Sequence, residues 1–306
     1  MNVLVTGGAG FIASHIVDRL VELGHQVSII DNFSNGDPKH INKQASLYNI
    51  SILDEEIDDI FEKIKPEVVI HHAAQIDVQT SIRQPDLDAG INILGTIKLL
   101  KQCKFKGVRK IIYASSAAVY GTPEYLPVDE KHQVKPLSYY GVSKHTPEHY
   151  IEVFSLLYGM DYTILRYANV YGIRQDPKGE GGVISTFMDS FLVGRSPVVF
   201  GDGEQTRDFI YVKDVVEANI AALEKGSRGI FNISCNIQTT INELLQKFSM
   251  LSGKSFKPIY HSPRMGDIVH SYLDNSLAMK ELGWKPIYSL EDGLKETFEY
   301  YDNMYS

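Results

Sequence analysis

The stretch "VLVTGGAGFIASHIVDRL", residues 3 to 20, starts with an apolar run, passes through a cluster of small residues and ends in an amphipathic pattern. Gly7, Gly10 and Ala13 stand in a G-x-x-G-x-x-A spacing between a predicted strand, Asn2 to Thr6, and a predicted helix, Phe11 to Leu23. Small residues there tighten the turn and let a pyrophosphate approach the helix N-terminus, where N–H groups and the dipole favour anions. The stretch predicts a dinucleotide site.

A second predicted strand, Gln26 to Ile30, delivers Asp31, 21 residues beyond Gly10 and close to the ~20-residue offset of a ribose-binding acid. Its carboxylate can accept both ribose hydroxyl protons. A 2′-phosphate about 4 Å away would meet a repulsion of about 4 kcal/mol at an effective dielectric near 20, so the sequence selects NAD over NADP. A strand-end acid facing solvent is the alternative reading, and the glycines weigh against it. After the next predicted strand, Val68 to His71, "HHAAQIDV" supplies Ala73 and Ala74, small enough for backbone to run beside a ribose or nicotinamide.

Outward from this unit the alternation continues. Strands are predicted at Lys110 to Ser115 and Tyr162 to Arg166, and helices at about Glu55 to Ile64, Asp86 to Cys103 and Tyr139 to Tyr158. Such alternation is the signature of a Rossmann-type, doubly wound parallel sheet. After Tyr167 the texture changes. "NVYGIRQDPKGEGG" reads as a functional loop, and the rest, with helices near Thr240 to Ser252 and Asn275 to Leu282, as a smaller interleaved substrate-binding region. The boundaries expected are 1–167 plus about 208–235 for the NAD-binding domain, and about 168–207 plus 236–306 for the second.

The 306 residues carry a formal charge of −8, which argues against nucleic acid and anionic membrane as partners, because both reward basic surfaces. No apolar run approaches the roughly 20 residues of a membrane span. Cys103 and Cys235 suggest two buried thiols in a reducing cytosol rather than a disulfide framework or zinc site. His71, His72, His145 and His149 lack the ligand spacing of a catalytic metal, so no metal is expected.

"SYYGVSK", residues 138 to 144, offers two tyrosines and one lysine. On a helix starting near Ser138, Lys144 lies one turn beyond Tyr140, whereas Tyr139 aligns with Ser143. Tyr140 is the candidate base. Ionising a phenol near neutrality takes about 4 kcal/mol, and one ammonium about 4 Å away supplies roughly that at an effective dielectric near 20. Ser115 and Ser116, ending the strand before "AAVYG", reach the carboxyl edge of the sheet, where a hydroxyl can relay a proton between a sugar alcohol and the phenolate.

These residues bring out a resemblance. "TGGAGFIAS", Asp31 with Asn32, "HHAAQIDVQTSIRQP", "NILGT", "SSAAVYG", "YGVSK", "RYANVYGIRQ", "GDGEQTRDFIYVKDV" and "RMGD" span nearly the whole chain. Together they resemble the extended short-chain dehydrogenases/reductases and, among these, the nucleotide-sugar 4-epimerases. The resemblance implies Ser116, Tyr140 and Lys144 as catalytic residues. Tyr140 would take the sugar 4-OH proton while hydride passes from C4 to NAD, and Ser116 would bond the 4-oxygen. It implies cofactor contacts from Gly7, Gly10, Phe11, Ile12, Asp31, Asn32, Ser51, Ile52, Ala73, Asn92, Tyr140 and Lys144. For the UDP-sugar it implies Asn169 and the Arg207 and Arg264 pair at the diphosphate, Asp267 at the ribose, Phe200 at the base, and contacts from Val183 and Ser271. It also implies a homodimer.

Ala117 and Ala118 stand where related dehydratases and decarboxylases carry acidic residues, so the reaction expected is epimerisation through a transient 4-keto sugar. Ser51 stands where epimerases often carry an Asp for adenine, which predicts a different adenine anchor. Ser271, where a bulky Tyr excludes N-acetylated sugars, predicts room for UDP-GlcNAc beside UDP-glucose. The alternatives are a UDP-uronate epimerase or another sugar-nucleotide modifier, and a non-enzymatic NAD sensor, which would typically have lost Tyr140 and Lys144.

Overall fold

The computed structural model describes residues 1–176, 182–253, 257–263 and 268–305. Strands β1 (Asn2–Thr6), β2 (Gln26–Ile30), β3 (Ser46–Tyr48), β4 (Val68–His71), β5 (Lys110–Ser116) and β6 (Asp161–Tyr167) make one sheet with β11 (Gly229–Ile233). Its order is β11-β6-β5-β4-β1-β2-β3, and every neighbouring pair is parallel. β1, β4, β5 and β6 are buried almost throughout, as parallel strands covered on both faces must be, while β3 at the sheet's edge is largely exposed. Alternate residues feed two cores. Val3 and Val5 pack on one side with Ile16, Leu20 and Ile112, and Leu4 on the other with Val69, Leu99 and Ile151.

Helices α1 (Phe11–Glu22), α2 (Ile57–Ile64), α3 (Val78–Arg83), α4 (Pro85–Ala89), α5 (Thr96–Lys106) and α6 (Tyr139–Tyr158) flank the sheet in its first six-strand stretch. The single helix expected from Asp86 to Cys103 is instead α4, a π-helical turn at Gly90–Gly95, and α5. A Cβ at Gly95 would meet Ile52 at 2.5 Å, so the missing side chain leaves room for the loop after β3. Successive strands run outward in opposite directions from β1, toward β2 on one side and β4 on the other. That reversal opens a crevice beyond the carboxyl ends of β1 and β4, where such sheets bind ligands.

The second region is built from short pieces. β7 (Asn169–Tyr171) pairs with β10 (Phe209–Tyr211), β8 (Val198–Phe200) with β13 (Ile259–His261), and β9 (Thr206–Arg207) antiparallel with β12 (Thr239–Thr240). The stretch expected to be loop from Asn169 therefore begins as strand, because Phe209 to Tyr211 return to pair with it. Helices α7 (Val183–Leu192), α8 (Val212–Ala222), α9 (Ile241–Ser252), α10 (Ser276–Leu282) and α11 (Leu290–Tyr305) complete the chain. Thr240 caps α9 in a reciprocal box with Glu243. Ile184, Phe187, Phe191, Leu244, Phe248 and Leu294 share a core that fastens α7, α9 and α11. Cys103 is buried, but Cys235 is only partly so, and both are free. No helix of the described residues is long and apolar enough to cross a membrane.

Candidate active site

The turn after β1 is held by backbone. Gly7 donates its N–H to Ile30 O at 2.8 Å, and Gly10 donates to Gly7 O at 3.0 Å. Gly7 has a φ of +71°, and a Cβ there would lie 2.7 Å from the backbone nitrogen of Ala73. Only glycine fits. No side chain caps α1 and no acid sits in its first turn, so its N-terminal dipole meets the cavity unneutralised. Asp31 is buried at the end of β2, where its carboxylate accepts Ala9 N–H and Phe33 N–H, both at 2.8 Å. The acid thus holds the glycine-rich turn as well as facing the crevice.

A cavity of about 560 Å³ occupies this crevice. Gly7, Gly10, Phe11, Ile12, Asp31, Asn32, Ser51, Ile52, Ala73, Tyr140 and Lys144 all line it. Asn92 does not. Its buried side chain accepts Gln75 N–H at 2.8 Å and donates to Gln75 O at 2.9 Å, so it stands behind the wall and positions Gln75, which does line it. Residues 90–95 form the π turn, and there the Asn92 amide also donates to Asp88 and Ser143.

Tyr140 and Lys144 enter from the first turn and a half of α6, which Ser138 caps by accepting Gly141 N–H at 3.1 Å. Tyr139 is 55% exposed and outside the cavity. Lys144 is 5% exposed, with its Nζ 4.6 Å from the centre of the Tyr113 ring. Burial lowers its ammonium to about 8, against the opposing pull of Glu148 and Asp88. The cation that a phenolate needs is therefore buried on the same cavity wall as Tyr140 and present below that pH.

Ser116 does not line the cavity; its Oγ accepts Ala118 N–H at 3.2 Å and starts a short 3₁₀ turn. Ser115 does line it, and donates to Glu148 Oε1 at 2.5 Å. Glu148 in turn accepts two bonds from the buried Arg166, at 3.0 and 2.5 Å. Burial would raise the Glu148 carboxyl, but hydrogen bonds from His145 and Arg166 outweigh it and hold the group down at about 2. Arg166 also donates to Tyr120 OH at 3.0 Å, which donates to Asn232 at 2.7 Å. This network fixes β5, β6 and β11 to α6 beneath the reactive side chains, and the sequence reading missed it, although Glu148 stands four residues after Lys144 on the same helix.

His72 and Tyr167 are further wall residues that the sequence reading did not assign to the cavity. Burial lowers the His72 imidazole to about 3, with an Asn219 contact opposing, so it is neutral. Among the described residues no group of three or more His, Cys, Asp or Glu side chains is placed to hold a metal.

A second cavity, about 310 Å³, opens between β7, α7, β8 and β9. Asn169, Val183, Phe200 and Arg207 line it. Gln205 also lines it and holds Phe200 by donating to its carbonyl at 2.6 Å. Arg207 donates to Thr206 O at 2.8 Å. Ser271 lies outside the wall, its N–H donated to Thr206 O at 3.2 Å, and Arg264 and Asp267 lie outside the described residues. The two cavities are neighbours along the chain: Tyr167 lines the first and Asn169 the second, a separation of at most about 7 Å.

Residues 3–234 match the model of the NAD dependent epimerase/dehydratase family. The chain belongs to that family. Within it, a UDP-glucose 4-epimerase of Mycolicibacterium smegmatis is 39% identical over 310 residues, covering 99% of each chain. The crystal structure of a Thermotoga maritima UDP-glucose 4-epimerase with UDP-glucose superposes with a TM-score of 0.98 at 46% identity, covering 100% of both chains. A UDP-N-acetylglucosamine 4-epimerase from Methanobrevibacter ruminantium, complexed with UDP-N-acetylmuramic acid, gives 0.95 at 37% identity, covering 99% of this chain and 98% of that one. The family's cofactor fits the first cavity on its own geometry: a glycine cradle that a Cβ would fill, a helix N-terminus left uncapped, and an acid at the end of β2.

Proposed function

We propose that the chain interconverts the C4 epimers of a UDP-hexose, UDP-glucose with UDP-galactose and also UDP-GlcNAc with UDP-GalNAc, using a bound NAD. The observation that carries this reading is Tyr140 with Lys144 on the wall of the cavity that the glycine-rich turn also lines. NAD, when bound, supplies a reversible hydride acceptor. Gly7, Gly10, Phe11, Ile12, Asp31, Asn32, Ser51, Ile52 and Ala73 would hold it. Tyr140 accepts the proton of the sugar 4-OH and returns it to the 4-oxygen after the keto sugar has turned over. Lys144 keeps the phenolate low in energy, and Ser116, with a small rotation away from Ala118 N–H, bonds the 4-oxygen. Ala117 and Ala118 have no proton to give, which leaves no acid beside the ketone to expel water or CO₂.

In the second cavity Asn169 and Arg207, with Arg264 and Asp267 contributed by the neighbouring segment, hold the diphosphate and ribose. Phe200 and Val183 take the base, and Ser271 leaves space for an N-acetyl group. We also divide the chain into an NAD-binding domain, 1–167 plus about 208–235, and a substrate domain, about 168–207 plus 236–306, with Ala278, Leu282 and Trp284 of the latter packed on the first core and Phe209, Tyr211 and Val212 of the former in the third. A second copy of the chain would cover the outer stripe of α6, where Tyr139, Val142, Tyr150, Val153 and Leu157 are exposed, giving a homodimer. Nucleotide-sugar substrates and two free thiols support a cytoplasmic location.

The test is incubation of the purified protein with UDP-glucose, UDP-GlcNAc and UDP-glucuronate in D₂O, followed by NMR and mass. Inversion at C4 with unchanged mass and no deuterium on carbon is expected for the first two. Loss of water or CO₂ would replace the epimerase by a dehydratase or decarboxylase, and turnover confined to UDP-glucuronate would reassign the substrate.

A further inference from the structure

The outer flank of α6 carries a pair of side chains that epimerisation does not use. His145 and His149 stand one helical turn apart, with ring centroids 4.5 Å apart and planes at 72°. Their Nε2 atoms face each other at 3.0 Å. Their Nδ1 atoms point the other way, toward carboxylates: His145 Nδ1 is 3.0 Å from Glu148 Oε2, and His149 Nδ1 is 3.6 Å from Glu152 Oε2.

Glu148 is committed as an acceptor by its two bonds from Arg166. It therefore draws the His145 proton to Nδ1 and leaves a lone pair on Nε2. Glu152, at 3.6 Å, lies beyond hydrogen-bond reach of His149 and leaves its tautomer free. The lone pair of His145 Nε2 therefore faces His149 Nε2 at 3.0 Å, a gap that either a proton on His149 or a positive ion can fill. A carboxylate behind His145 is also the arrangement that orients a metal-bound histidine and raises its basicity.

We propose that His145 and His149 form a two-imidazole chelate for a late first-row divalent metal ion, such as Cu²⁺, Ni²⁺ or Zn²⁺. Metal–nitrogen bonds of about 2.0 Å would span the gap at an angle of about 95°, compatible with square-planar or octahedral coordination. Of the described residues only these two imidazoles converge on the gap, so water or another donor completes the shell. The ion has an open path, since the His149 side chain is 65% exposed. At 3.6 residues per turn the pair lies about 60–100° round the helix from the centre of the apolar stripe, on a flank that exposed Leu156 shares.

The decisive experiment uses the full chain, freed of metal by chelator and titrated with CuCl₂ alone. Calorimetry is expected to show one tight equivalent per chain, and electron paramagnetic resonance to show hyperfine splitting from two imidazole nitrogens. His149→Gln should abolish that equivalent and its two-nitrogen signal, while circular dichroism and epimerase turnover stay as in the parent. A titration of His149→Gln that matches the parent, or a parent spectrum with one nitrogen or none, would overturn the chelate and leave a shared proton between the rings. Failure of the epimerase reading would not touch this outcome, because the readout is the metal itself.

Discussion

The two cavities are made in different ways. The first is walled by the ends of long parallel strands and by helix termini packed on them, with buried charged groups such as Asp31 and Lys144 held in place. The second is walled by strands of two and three residues and by α7. A reaction needs fixed geometry at the reacting atoms, while holding a nucleotide needs only a pocket of matching shape and charge. On the proposed function the difference puts the chemistry in the first cavity and recognition of the UDP group in the second.

The hardest blow to that division comes at Tyr140. Tyr140→Phe keeps the ring and removes the proton acceptor, so kcat should fall by about 10²–10⁴ while KM for the UDP-sugar and the retention of NAD hold. Steady-state kinetics and the absorbance of bound cofactor check both. A loss shared equally between kcat and KM would mean that the phenol binds substrate, and the two cavities would no longer divide the work.

Next in size is the ion pair beneath the first cavity. Glu148→Gln leaves the Arg166 guanidinium buried without its counter-charge, at a cost of about 3–5 kcal/mol. A second pair, Lys213 with Glu296 at 2.6 Å, joins α8 to α11 away from the first cavity's wall, but its side chains are 41% and 38% exposed. Lys213→Met should therefore cost less than about 1 kcal/mol. Urea unfolding of the two variants gives the contrast directly, and equal losses would refute the claim that rigidity is concentrated under the reacting groups.

The same contrast decides what could be read from the sequence. β1, β2 and β4 were legible to the residue and β5 and β6 within one, because fully buried apolar runs bounded by turns leave little choice. Tyr140 and Lys144 were legible because helical spacing alone puts them on one face. The break of one expected helix into α4, a π turn and α5 was not, since it depends on Ile52 reaching the space left by Gly95. That break is also why Asn92 positions Gln75 and does not touch the cavity. β7 was read as loop because its partner, β10, lies forty residues on, from Asn169 to Phe209. α7 begins without a side-chain cap, and α8 follows β10 with Tyr211 as its cap residue and no capping bond, so neither carries a start signal. Ser115 and Ser116 are adjacent hydroxyls, and only the three-dimensional turn shows that one serves Glu148 and the other Ala118.

The mildest effect is the most discriminating, because rate and stability move in opposite directions. Lys144 has its ammonium lowered to about 8 by burial. If that cation steadies the Tyr140 phenolate, kcat should decline above about pH 8, approaching tenfold per pH unit. For folding the sign is reversed. Between about 8 and the ordinary lysine range the unfolded chain binds more protons at this position than the folded one, so stability rises with pH. Lys213, on α8, is shifted upward: burial opposes the charge, but Glu296 outweighs it, so its titration falls above this window and cannot mimic the trend. Urea midpoints and kcat measured from pH 7 to 10 should diverge in the parent, and Lys144→Met should flatten the stability rise. Rate and stability falling together in the parent would show that the alkaline loss is unfolding, and would remove Lys144 from the chemistry of the first cavity.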